Sequence, residues 1–105
     1  MTVKIKENSL VAKIAAGRLK SADMAIVFGD TIYLHGVSKS AFLAQPAWVR
    51  HEVCHVLQYK QFGFLNFLCR YLVEWVKVGY HANKYEAAAR DAERDPGVMN
   101  GVIIA

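Results

Sequence analysis

Hydrophobic and polar positions along the 105-residue chain change period several times, and each change marks an element. "TVKIKE" alternates Val3 and Ile5 with polar neighbours, the period of two carried by a half-buried strand. Asn8 or Ser9 can then cap a helix reaching about Leu19, with Leu10, Val11, Ile14, Ala15 and Leu19 on its apolar side. "MAIVFGDTIYLHG" predicts two short strands joined by a turn at Gly29-Asp30. Residues 37 to 45 show no clear period and are expected to form a connector. Pro46 suits the first turn of a helix running to about Gln61, with Gly63 as its stop signal. A second helix fits Leu65 to Val78, with Leu65, Leu68, Tyr71, Leu72, Trp75 and Val76 on a broad apolar face. A third fits Lys84 to Arg94, using the stripe Tyr85, Ala88, Ala89 and Ala92 and ending at Asp95-Pro96-Gly97. The apolar tail "VMNGVIIA" can add a short strand. The order β-α-β-β-α-α-α predicts an α+β fold, a short mixed sheet packed against helices.

A chain of this length is expected to form one domain, residues 1 to 105, with a single modest core. Apolar residues make up 54% of it, enough to fold rather than stay disordered. Lys and Arg number 13 against 9 acidic residues, and they are scattered from Lys4 to Arg94 without a basic block, which argues against nucleic acid as the partner. The opening "MTVKIKENSL" lacks the apolar core of a signal peptide, so a cytoplasmic protein is expected. In "FGFLNFLCRYLVEWVKVGY" the charges of Arg70, Glu74 and Lys77 interrupt the apolar run, so no transmembrane segment is expected. The Phe64 to Trp75 face leaves a membrane-surface helix as a further reading. Cys54 and Cys69 both lie in apolar helical patterns and are expected to be buried free thiols.

The chemistry concentrates in "RHEVCHVLQY". On a helix, residues four apart share a face with Cβ atoms about 5–6 Å apart, so His51 and His55 can offer both imidazoles to one ion. Zinc asks for three protein ligands and one open position, and Glu52 beside them can handle a proton. The plain alternative is a surface helix with two solvated histidines. Val49, Val53, Val56 and Leu57 favour metal, because they anchor the helix in a core while the histidines face elsewhere. No third histidine follows at the metzincin spacing, so a carboxylate ligand is the expectation, and two glutamates compete for it. Glu74 also reads as part of a solvated polar stripe with Arg70 and Lys77. Glu86 also reads as half of a capping box with Asn83, or as an ion pair with Arg90.

"RHEVCHVLQY" followed by "GYHANKYEAAARDAE" resembles the small bacterial and archaeal gluzincin-type proteins called minigluzincins. These are soluble minimal relatives of the catalytic domains of some membrane metallopeptidases. The similarity covers about residues 31 to 95, through "TIYLHG", the HExxH helix and the late "YE-x-x-A" helix. It implies a zincin-like fold, Zn2+ as cofactor, and the late-helix glutamate, here Glu86, as third ligand beside His51 and His55. Glu74 stays in reserve. Larger gluzincins often carry an aspartate four residues after that glutamate to hold the first histidine. This chain has Arg90 there and Asp91 next.

These residues predict a zinc metalloendopeptidase in which Glu52 is general base and then general acid, with Tyr80 or His81 as donor to the oxyanion. Tyr59 and Tyr85 are expected to pack. Substrate, a peptide or protein, is expected to lie extended along an edge strand, for which "TIYLHG" is the candidate. The tail is expected at the sheet edge, in the core, or in the cleft, where it would keep the enzyme latent. The rival from another class is a non-catalytic, zinc-stabilised module serving as a scaffold or interaction domain, to which a domain this small lends weight.

Overall fold

A computed structural model describes residues 1–19 and 23–105. Their fold is α+β. The elements are β1 (Thr2–Lys6), α1 (Leu10–Leu19), β2 (Met24–Phe28), β3 (Thr31–His35), α2 (Lys39–Leu43), α3 (Pro46–Phe62), α4 (Phe64–Ala82), α5 (Lys84–Ala92), a 3-10 turn (Pro96–Met99) and β4 (Ile103–Ile104).

The sheet runs β2-β3-β1-β4 and is mixed: β2 pairs antiparallel with β3, while β1 pairs parallel with both β3 and β4. The hairpin closes through Gly29, whose φ of 63° suits the first central residue of a tight hairpin loop. Its register sets Ile5, Ile32 and Val27 in one row, so alternate side chains form a continuous apolar face. Ile32, Leu34 and Val3 on that face are fully buried.

The strand order corrects one expectation. "TIYLHG" forms β3, which has β2 on one side and β1 on the other, so its backbone groups are already paired. The free edge is β2. The tail takes the other edge: β4 pairs with β1, and Ile103 N donates to Met1 O at 2.8 Å. It therefore does not lie in the cleft described below.

Ser9, not Asn8, begins α1: Ala12 N donates to its Oγ at 3.4 Å, while Asn8 takes the left-handed φ of 49° that asparagine tolerates. Of the expected apolar side of α1, Leu10 and Ile14 are exposed, while Ala12 is fully buried. Ser9 N donates to Leu34 O, which pins the start of α1 to the sheet with Ala12 inward. Val11, Ala15 and Leu19 lie outside the described side chains. Within the expected connector, Ser38 caps α2 by accepting from Ala41 N at 3.1 Å, and buried Phe42 meets Trp48 edge-on at 5.0 Å. That contact fixes the start of α3 against the core.

α3 starts with Pro46 at its first turn and stops at Gly63, whose φ of 83° a side chain would strain. Val49, Val53 and Val56 bury its core side, as expected. α4 differs from expectation. Leu68 and Tyr71 of the predicted face pack against the core, but the buried residue is Phe67, edge-on against Tyr59 and Tyr85, whereas Leu65, Leu72 and Val76 are exposed. The cause is geometric: α4 packs mainly on α3 and α5, and that side meets the Phe67–Tyr71 arc. Gly79, at φ 79° and ψ 177°, then breaks α4 and redirects Tyr80. Among the described residues, no helix is long and apolar enough to cross a membrane.

Candidate metal centre

α3 and α5 pack along their lengths, and the residues at their seam are polar. Glu52, His55, Gln58, Asn83 and Glu86 are all buried there. Buried polar groups are costly unless partnered, so each partner is informative.

His51 and His55, one turn apart on α3, both direct Nε2 at Glu86 Oε1 on α5, at 3.1 Å each. Zinc ligand atoms in a tetrahedral site stand about 3.3 Å from one another, and each Nε2–Oε1 separation is of that size, which is also that of a hydrogen bond; the trio whose ligand atoms all lie within 4.8 Å of one another is His51, Glu52 and His55. Glu52 also comes close, with ligand atoms of His51, Glu52 and His55 within 4.8 Å of one another. Its Oε2, however, is buried without a hydrogen-bond partner. Of the two carboxylates, Glu86 makes the direct contacts and Glu52 stands beside them.

The far nitrogen of each ring is held separately. His51 Nδ1 lies 2.8 Å from Glu93 Oε2, and Arg50 Nε fixes the Glu93 carbonyl at 2.9 Å. His55 Nδ1 lies 2.8 Å from Gln58 Oε1, while Gln58 Nε2 donates to Tyr85 O at 3.1 Å. That second bond orients the amide, so His55 Nδ1 must be the donor. Holding Nδ1 in this way leaves Nε2 to face an ion, the arrangement by which outer partners orient histidine ligands. His51 faces a carboxylate with both nitrogens, so its ring carries two protons when no metal is bound.

Electrostatics follow from this crowding. Burial opposes charge on His51, but hydrogen bonds with Glu86, the nearby Glu52 and the bond to Glu93 outweigh it and push the ring up to about 9. His55 is raised too, again against burial and through Glu86 and Glu52. Burial alone would raise Glu86, yet hydrogen bonds from His51, His55 and Tyr71 hold it well below the usual carboxylate range. Glu52 moves the opposite way: burial pushes it up to about 7 despite the pull of both histidines. Two carboxylates in one site thus divide into a permanently charged one and one poised near neutrality.

The other glutamate candidate is elsewhere. Glu74 Oε2 accepts from Lys84 N at 3.4 Å and so serves the start of α5. Asn83 caps that helix through Tyr85 N at 2.9 Å, without Glu86 reaching back, and Arg90 Nη2 donates to the His81 carbonyl. Neither the capping box nor the Glu86–Arg90 pair forms.

Tyr80 lies at the site and His81 does not. Two cavities, of about 510 and 580 Å³, share Met24, Ala25, Glu52 and Tyr80, and together form a cleft along the free edge β2. Burial, then the charges of Glu86 and Glu52, push the Tyr80 hydroxyl up to about 12, so it stays a donor. His81 is exposed and lines neither cavity. Tyr59 and Tyr85 pack, as expected.

Three residues of the network escaped the sequence reading. Tyr71 Oη donates to Glu86 Oε2 at 2.5 Å, although its spacing placed it with packing residues. Gln58 lies three residues after His55, a spacing at which helical neighbours meet. Glu93 stands two turns after Glu86 on the same side of α5, a signal readable by counting seven rather than four. The cysteines are free, as expected, but neither is buried: Cys54 is half-buried and Cys69 exposed. No protein-family model, curated protein or solved structure matches the chain.

Proposed function

We propose that this chain is a zinc metallopeptidase of the gluzincin type, with His51, His55 and Glu86 holding the metal. The observation that carries the reading is the convergence of both Nε2 atoms on Glu86 Oε1 at 3.1 Å, with each Nδ1 held by its own acceptor. Zinc bound there would supply Lewis acidity, making water acidic enough to ionise near neutral pH and polarising a carbonyl.

The chain's own groups do the rest. Glu52, close to neutrality in its affinity for a proton, takes one from the attacking water and later delivers it to the leaving amine. Its buried, unpartnered Oε2 favours this role over the scaffold reading, since a structural zinc site has no use for an unpaired carboxylate. Tyr80 supplies the oxyanion donor, while His81 drops out of that role. The β2 edge offers backbone groups to an extended peptide, and the apolar cleft beside it excludes water. The two free thiols suit a cytoplasmic location.

Metal analysis and hydrolysis of a denatured protein substrate test the reading together. Stoichiometric zinc with cleavage supports it. Zinc without any cleavage returns the protein to the scaffold class.

A further inference from the structure

From the outer face of α4 we propose a docking surface for an anionic lipid membrane, on which the helix lies without crossing. The proposal is independent of catalysis. Leu65, Leu72, Val73 and Val76 are exposed by 71%, 47%, 56% and 88%. They form a stripe at helical spacing along the outside of α4, and nothing in the described fold covers it. Isolated exposed apolar residues are ordinary, but a contiguous stripe on one helix marks an interaction face.

Charge selects the occupant. Arg70 and Lys77 lie three residues before and four after Val73, so both flank one side of the stripe. Arg70 is held there, its guanidinium 4.8 Å from the Phe62 ring and its Nε bonded to Asn66 at 3.0 Å. Glu74 is the one acidic residue between Phe64 and Ala82, and it lies on the side of α4 away from the stripe, where its Oε2 accepts from Lys84 N at 3.4 Å. The outer face is therefore apolar with a cationic border, the pattern of a helix lying in the headgroup zone of anionic lipid. A second copy fits poorly: antiparallel pairing of two such stripes sets Arg70 and Lys77 of one against those of the other.

The opposite border supports the same occupant. Leu72 and Trp75 belong both to the exposed surface and to the cavity wall, and Tyr80 stands edge-on to Trp75 at 6.4 Å. Tryptophan and tyrosine suit a boundary that is apolar on one side and wet on the other. Docking on this face sets the mouth of the cleft at the lipid surface.

Sedimentation of the 105-residue chain with vesicles tests this. The chain should pellet with phosphatidylcholine vesicles containing phosphatidylserine, more weakly with phosphatidylcholine alone, and less as salt rises. Leu65→Ser combined with Val76→Ser should weaken binding about tenfold or more. Arg70→Gln with Lys77→Gln should remove the preference for anionic vesicles. Unchanged circular dichroism shows that both variants fold. The proposal is overturned if wild type stays in the supernatant with both vesicle types, or if neither variant changes binding. It is equally overturned if light scattering gives a dimer that the serine variant converts to monomer, which assigns the face to a second copy.

Discussion

The α3–α5 seam and the outer face of α4 invert the usual sorting of residues. The seam buries Glu52, His55, Gln58 and Glu86, while α4 leaves Leu65, Val73 and Val76 in the open. Burying polar groups costs stability unless they are partnered, whereas an exposed apolar side chain is as wet folded as unfolded and costs solubility instead. At the seam nearly every polar atom has a partner, so the cost is largely offset within the protein, the exception being Glu52 Oε2. On α4 the apolar side chains simply forgo burial. The contrast separates a site whose geometry is set by its own fold from a surface that the described fold leaves uncovered.

Substitutions should separate the two regions, and the largest effect belongs to Glu86→Ala. It removes a proposed ligand and leaves half-buried His51 and buried His55, both raised in pKa, without the carboxylate they share. Zinc affinity should fall by at least about a thousandfold, and the metal-free protein should lose about 3–5 kcal/mol. Glu74→Ala should change zinc affinity by less than about threefold. Chelator competition on both variants decides, and equal losses would remove Glu86 from the ligand set.

Next in size is the outer support. Glu93→Gln should weaken zinc about 10- to 100-fold by loosening His51, whereas Asp91→Ala should do little. The same titration, repeated with pH, has a defined sign. His51 and His55 are raised and must shed protons to bind metal, so affinity should climb about tenfold per pH unit for each protonated ring, levelling above about 9 for His51. Flat affinity between pH 6 and 9 would mean that neither ring is a ligand.

Glu52 gives a smaller effect of unusual direction. Its folded-state pKa, about 7, lies above the ordinary value, so its contribution to stability is full below the unfolded pKa and is lost as pH rises through 7. Glu52→Gln should therefore raise the Tm of the metal-free protein at pH 8 by about 4 °C or more and leave it little changed at pH 4. A lower Tm at pH 8 would show that the carboxylate is paired. Smallest of all is Val76→Ser on α4, expected within about 0.5 kcal/mol of wild type by thermal unfolding.

What the sequence made legible follows from locality. α3 was readable end to end because Pro46 and Gly63 punctuate it and three valines repeat at helical spacing. The hairpin was readable from Gly29-Asp30. Strand order was not, because alternation marks β2 and β3 alike, and only the parallel pairing with β1 makes β3 an inner strand. The orientation of α4 was legible only at Leu68 and Tyr71, for a related reason. Its apolar residues cover more of the helix than the core can receive, and Phe67 was chosen by Tyr59 and Tyr85, both distant in sequence. At the site, His51, Glu52 and His55 announce themselves by spacing along one helix. Glu93 and Tyr71 required knowing how α4 and α5 lie against α3, and their side chains carry no local mark of that role.

The central claim is that one carboxylate binds metal and its neighbour moves protons. Zinc content and hydrolysis measured on the same preparation of Glu52→Gln test it most directly. Glu52→Gln should keep one zinc per chain, as in wild type, with hydrolysis reduced at least about 10²-fold. Loss of zinc from Glu52→Gln, or a wild-type rate in its presence, would contradict it.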